Sequence, residues 1–214
     1  AGEDYSQASG PGTILAGTSY TDVEGEVNGL MTYDRRVTKF DPDHMRRLHE
    51  RLYEPPPIIS VRTLAATSEK AAQRWRYTTE KPAENWIDPG FDDSQWSSGE
   101  GGFGEKSTPG SVVRTDWTSS EIWLRRGFEL SGTLPDTVHL RVHHDEDAVI
   151  YINGKKVASL EGYVSSYTDI ELEAEARQAL RTGRNTIAVH CRQTTGGQYI
   201  DVGLVHVQIT PRSE

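Results

Sequence analysis

A single cysteine, Cys191, excludes an internal disulfide framework and leaves the redox compartment open. No apolar run approaches the length that crosses a bilayer as a helix, so no membrane is expected as a partner. Positive charge is in deficit. The 23 Lys and Arg against 32 Asp and Glu give a formal net charge of −9, which argues against nucleic acid, whose binders present a basic face. No internal repeat or low-complexity tract is present. Ala1 brings neither an initiator Met nor a signal-like apolar segment, so any targeting peptide is expected to be absent or already removed, unless the start is internal. A periplasmic or extracellular setting is favoured. What remains, in 214 residues, is room for one large domain or two small ones.

The stretch with the clearest pattern runs from His139 to Ala158. Val138, Leu140 and Val142 alternate with His139, Arg141 and His143, the period of a half-buried strand. After the polar cluster His143 to Asp147, Ala148, Ile150 and Ile152 resume the alternation. Asn153-Gly154 predicts a two-residue hairpin, because a type I′ turn needs positive φ at both central residues. That turn pairs Ile152 with Lys155 and Ile150 with Val157, so Ile150 and Val157 are expected on one core face.

The rest of the chain divides at prolines. Asp41-Pro42 starts a helix, with Asp41 as cap, and Met45, Leu48 and Leu52 fall on one stripe. Pro55-Pro56-Pro57 ends it and reads as a stiff linker. Beyond it, Ile58 to Leu64, Trp75 to Thr79, Ile122 to Leu130, Ile187 to Cys191 and Val205 to Ile209 read as strands. Glu173 to Arg181 reads as a short helix closed near Gly183. Arg126 interrupts the apolar face of its strand. Many short strands with one short helix predict an antiparallel sandwich or jelly roll.

Four runs carry a resemblance: Phe91-Asp-Asp-Ser-Gln-Trp96, Ile122-Trp-Leu-Arg-Arg-Gly-Phe128, Asp147-Ala-Val-Ile-Tyr-Ile-Asn-Gly154 and Thr182-Gly-Arg-Asn-Thr-Ile-Ala-Val189. In this order they resemble the galactose-binding-like jelly roll of glycoside hydrolase family 2, the family of β-galactosidases and β-glucuronidases. Tyr20 to Arg35 looks like the last strand and loop of that family's (β/α)8 barrel, with Asp41 to Tyr53 as its closing helix. The resemblance implies a mainly β chain, a jelly-roll β-sandwich preceded by a small α/β remnant of a TIM barrel. The expected divisions are a barrel end at 1–54, a linker at 55–67 and the jelly roll at 68–212. This order departs from the family's, in which such a jelly roll precedes the barrel. The implied partners are carbohydrate and the remainder of the catalytic barrel. The family's acid/base and nucleophile come from earlier barrel strands, so no catalytic residue is expected here and hydrolysis by this chain alone is not. A non-binding structural sandwich, packed on the barrel or a partner subunit, is the alternative.

Candidate site residues follow from chemistry. Glu24 and Glu26, at i and i+2 on a strand, would share a face about 7 Å apart, within the range of paired glycosidase carboxylates. A structural or substrate-lining role is the stronger reading for them. His143, Asp145 and Asp147 could meet sugar hydroxyls, with Asp145 and Asp147 on one face. No cofactor is expected, although Asp145, Glu146 and Asp147 leave a structural calcium open. Solvated strand-end charges are the blander reading of that cluster. Sugar binding also needs flat apolar faces beside planar polar groups. An exposed Trp117 or Tyr199, near Gln193, Gln198 and Asp201, would supply them. Trp86, Trp96 and Trp123 read as core plugs. Gly99 to Gly104 matches G-x-G-x-x-G without a following helix and is set aside. His190 and Cys191 should diverge on their strand, which argues against a thiol nucleophile.

Overall fold

A computed structural model describes residues 21–23, 29–50 and 56–211 of the chain. It divides into two compact units, the first ending at Pro56 and the second running from Pro57 to Ser213.

In the first unit, helix α1 spans Pro42–Glu50. Asp41 begins it as its sequence suggests: its carboxylate accepts the Asp43 amide at 2.9 Å and its carbonyl accepts the Met45 amide. No residue of α1 is buried, and Leu48 remains 49% exposed. Nearby, a buried Asp22 accepts the Gly29 amide and pairs with Lys39. Glu24, Glu26 and Leu52 lie outside the described residues.

The second unit is a sandwich of two six-stranded sheets. One sheet contains β1 (Ile58–Ala65), β4 (Phe103–Gly104), β5 (Thr115–Asp116), β7 (His139–Asp145), β10 (Thr168–Glu171) and β12 (Tyr199–Thr210). Its order is β10-β7-β12-β4-β5, and β1 pairs with the far half of β12. The other sheet runs β3-β2-β6-β11-β8-β9, from β3 (Ser97–Glu100), β2 (Arg74–Thr78), β6 (Glu121–Leu130), β11 (Gly183–Arg192), β8 (Asp147–Ile152) and β9 (Lys155–Leu160). Alternation builds the core. Leu140, Val142, Ile200, Val202 and Leu204 from the first sheet meet Ile122, Leu124, Ile150, Ile187, Val189 and Cys191 from the second, and each is at most 1% exposed.

Several expectations are corrected here. The Asn153-Gly154 hairpin forms, with φ of 50° and 83° and Ile152 opposite Lys155. A bulge between Ile150 and Tyr151, however, sets Ile150 opposite Ala158, not Val157. The second helix α2 is only Ala174–Arg177. Residues 58–65, within the expected linker span, form a paired strand of the sandwich. Arg126 does point inward: its guanidinium lies 4.7 Å from the Trp75 ring centre, and burial lowers its pKa to about 10, with Asp201 opposing that shift.

A second, smaller cluster lies outside the second sheet. Trp86 and Trp123 are buried there with Ala188, and Phe91, Trp96 and Tyr151 pack against them. The segment Trp86 to Trp96 is thus a cover laid across β6, β11 and β8. Arg125 fastens it by donating to the Asp93 carboxylate at 2.9 Å and to the carbonyls of Trp86 and Asp88.

Candidate functional site: a buried polar cluster and a surface depression

Outward-facing positions of β7 and β12 hold the main polar cluster. Strand register sets His143 opposite Asp201 and Asp145 opposite Tyr199. Because Val142 and Val202 take the core side, these four side chains emerge on the sheet's other face. Neighbouring loops then cover them. The Asp201 carboxylate accepts the Ser68 amide at 2.6 Å and the Tyr167 hydroxyl at 2.7 Å. Tyr167 and Tyr199 hydroxyls stand 2.9 Å apart, and Tyr199 also donates to the Val112 carbonyl. His143 sits between the two tyrosine rings, with centroids at 5.5 and 4.6 Å. Neither of its ring nitrogens has a hydrogen-bond partner among the described residues.

The cluster is enclosed. His143, Tyr199 and Asp201 are at most 1% exposed, and Gln198 is 4% exposed. Gln198 donates its side-chain amide to the Ser119 carbonyl at 2.7 Å. The expectation of an exposed Trp117 or Tyr199 is corrected: both are buried, Trp117 as a member of the main hydrophobic core and Tyr199 beneath Tyr167 and the Val112 carbonyl. The expected shared face of Asp145 and Asp147 is corrected too. Asp145 ends β7 in one sheet and Asp147 begins β8 in the other, so the chain changes layer between them. Asp147 accepts the Gly162 amide at 2.8 Å instead. Between them, Glu146 accepts the Thr194 amide at 3.1 Å and the Thr195 hydroxyl, which pins the loop carrying Gln193. Gln193 donates to the Gly196 carbonyl at 3.3 Å. Among the described residues no group of three or more His, Cys, Asp or Glu is placed to hold a metal ion.

Trp117 borders a surface feature despite its burial. It lines a depression of about 520 Å³ with Tyr77, Thr78, Gln95, Trp96 and Asp116 among the walls. Its indole N–H donates to Ser119 at 2.8 Å, which fixes the ring. The depression thus brings aromatic residues together with hydroxyl, amide and carboxylate groups. Gln95 and Trp96 are neighbours in the chain, but Trp117 comes from a later segment and no sequence period joins it to them.

His190 and Cys191 diverge, as the strand pattern predicts. His190 stacks on Trp123 with centroids 4.7 Å apart, while Cys191 is buried and its thiol pKa is raised by that burial.

Burial sets the electrostatics of the enclosed cluster. Loss of solvent raises Asp201 to about 6, against the lowering effects of Tyr167, the Ser68 amide and Arg126. Burial together with the Asp201 charge pushes Tyr167 up and Tyr199 up to about 12. His143 is lowered by burial, with the His144 charge adding to the effect. The two ionisations affect stability with opposite sign. Between its ordinary 3.8 and about 6, Asp201 binds a proton more readily folded than unfolded, so its contribution to stability falls as pH rises through that window. His143 takes up its proton more readily unfolded, so its contribution falls as pH drops below 6.5. Asp201→Asn removes the first effect alone. Relative to the parent, the variant should gain on the order of 2–3 kcal/mol between pH 4 and pH 7, read from urea unfolding at each pH. A difference that stays constant with pH would contradict the raised carboxyl.

No family model matches the chain, and no curated protein does. Among solved structures the chain is similar to a glycosyl hydrolase family 2 member from Bacteroides cellulosilyticus DSM 14838, at 18% identity over 68% of this chain with a TM-score of 0.47. It is similar to a β-glucuronidase of Bacteroides uniformis at 23% identity over 69% of this chain, with a TM-score of 0.44. A β-glycosidase of Bacteroides vulgatus aligns at 14% identity over 72%, with a TM-score of 0.43. The chain spans 21%, 18% and 24% of the lengths of these three proteins.

Proposed function

We propose that this chain is the C-terminal, carbohydrate-associated region of a family 2 type glycoside hydrolase, β-galactosidase-like in kind. In this reading residues 1–54 are the end of the (β/α)8 barrel, the sandwich binds carbohydrate or shapes the active-site rim, and the chain alone does not hydrolyse. The observation that carries it is the convergence of the four family-like runs. Residues 122–128 lie on β6, 182–189 lead into and along β11, and 147–154 form β8 with its turn, so three adjacent strands hold three of them. The fourth, 91–96, packs on those strands through Phe91 and Trp96 and is tied to them by Asp93. Motifs scattered over nearly a hundred residues thus make one structural unit, as a shared ancestral domain requires.

The depression beside Trp117 is the sugar site in this proposal. Calorimetric titration with galactosides, glucuronides and xylo-oligosaccharides, with and without calcium, tests it. Saturable heat that Gln95→Ala or Asp116→Ala lowers about tenfold in affinity is the expected outcome, since each removes one directional hydrogen-bonding group. The alternative is a non-binding sandwich that packs on the barrel or a partner subunit, and the burial of His143, Gln198, Tyr199 and Asp201 favours it. Silence from a folded sample across all three sugar classes would leave that alternative standing.

A further inference from the structure

The outer face of the second sheet carries a groove whose character is opposite to that of the chain. Its volume is about 400 Å³, and its walls include Arg74, Arg76, Arg125 and Arg184 with Asp93 and Ser98. Register explains the concentration. Arg76 stands directly opposite Arg125, and Ser98 directly opposite Arg76, so these side chains share one face, with Arg74 two residues along. Like charges placed directly opposite each other across two strands destabilise a sheet. Asp93 answers the charge of Arg125, so the unmet charge is that of Arg74, Arg76 and Arg184, which have no ion-pair partner among the described residues and point to an external counter-charge.

The internal carboxylates do not supply it. Asp93 is taken by Arg125. Glu100 lies across from Arg74 and Glu129 across from Arg184, yet no ion pair forms within either couple among the described residues. Arg74 and Arg76 instead donate to neutral acceptors, the Ser98 hydroxyl at 3.0 Å and the Trp96 carbonyl at 3.2 Å. Arg184 makes no guanidinium hydrogen bond among the described residues, and most N–H groups of the three exposed arginines remain free. Their planar forks match carboxylate and sulfate oxygens. The floor between them is Gly127, where an added Cβ would meet nothing closer than the Asn185 carbonyl at 3.8 Å and the Arg184 Nε at 3.9 Å.

We propose that this groove binds an acidic oligosaccharide through its carboxylate or sulfate groups, a specification that rests on the carbohydrate reading above. Arg74 on β2 and Arg184 on β11 are separated by strand β6, a lateral span of about 10 Å. A ligand with acidic groups on successive sugar units engages both sides at once, whereas an inorganic ion meets one. The site is distinct from the depression beside Trp117.

The test is calorimetric titration of the whole chain with an oligouronate, a sulfated oligosaccharide, a neutral oligosaccharide of equal length, inorganic sulfate and a single-stranded oligonucleotide. Binding of either acidic sugar is expected, weakening as salt rises. Arg74→Ala and Arg184→Ala should each lower its affinity about tenfold, the loss of one charge-assisted contact. Gly127→Glu should abolish it, and Gly127→Gln, which adds equal bulk without charge, should lower it less. Circular dichroism melts of the Gly127 variants keep folding separate from binding. If neutral sugar binds and acidic sugar gains nothing, the groove inference falls while the carbohydrate reading survives. If no sugar binds, both fall. Equal affinity for sulfate or the oligonucleotide overturns the saccharide assignment, and insensitivity to Gly127→Glu overturns the location.

Discussion

Arg125→Ala should lower the stability of the sandwich by about 3 kcal/mol or more and release the tryptophan-bearing cover from the second sheet. Arg125 is 3% exposed and uses all three guanidinium nitrogens. Asp93 accepts from one, at 2.9 Å, and the carbonyls of Trp86 and Asp88 accept from the others. Its charge also rests 5.3 Å from the Phe91 ring centre. Deleting it strands two carbonyls and a partly buried carboxylate, a loss of paired groups and not merely of one contact. Lysine should rescue little, since one ammonium on a flexible stem cannot reach three acceptors arranged for a planar fork. Urea unfolding followed by tryptophan fluorescence reads both effects, because Trp86 and Trp96 report the cover directly. An Arg125→Ala protein with parental midpoint and emission would show that the aromatic contacts alone hold it.

Asn185→Asp should cost a similar amount, about 3 kcal/mol at neutral pH, although it exchanges one NH2 for one oxygen. Asn185 is fully buried with its hydrogen-bonding capacity filled. Its oxygen accepts from the Asn153 side chain at 2.8 Å and from the Arg181 amide at 3.0 Å. Its nitrogen donates to the carbonyls of Arg181 and Gly183 at 2.7 and 2.9 Å. Aspartate turns an oxygen toward two carbonyl oxygens. It can then either bury a charge among acceptors or keep a proton that serves only one of them. The penalty should therefore shrink as pH falls toward 4, where the acid form retains a donor. Unfolding at pH 7 and pH 4 separates this from a packing defect, which would be the same at both.

These two residues show how far the sequence could be read. Both stand in runs that carry the family resemblance, and the strands beneath them are legible from alternation: Ile122 and Leu124 inward, Ile187, Val189 and Cys191 inward. The Asn153-Gly154 turn is equally legible, since few dipeptides accept positive φ twice. What connects them is not. Arg125 finds Asp93 from 32 residues away and Asn185 finds Asn153 across two strands, and no local period encodes such partners. The same limit governs the candidate site. Polar residues at 143–147 and 193–201 are visible as chemistry, but whether a loop covers them is decided by Ser68, Val112 and Tyr167, far off in sequence. Burial of Tyr199 was therefore beyond pattern reading, and so was the change of sheet that parts Asp145 from Asp147.

The pairing of β1 with β12 has a kinetic consequence. Ile58 faces Thr210 and Ile59 faces Ile209, so the sandwich's first strand waits for its last. A nascent chain leaving the ribosome has nothing to offer β1 until nearly the whole second unit has been made. Until then a strand bearing Ile58, Ile59 and Val61 stays unpaired and open to wrong partners. Folding of so non-local a topology belongs to the millisecond-to-second regime, roughly, and not to the microseconds of helical bundles. Closure of β1 is thus the step at which chaperone demand should end.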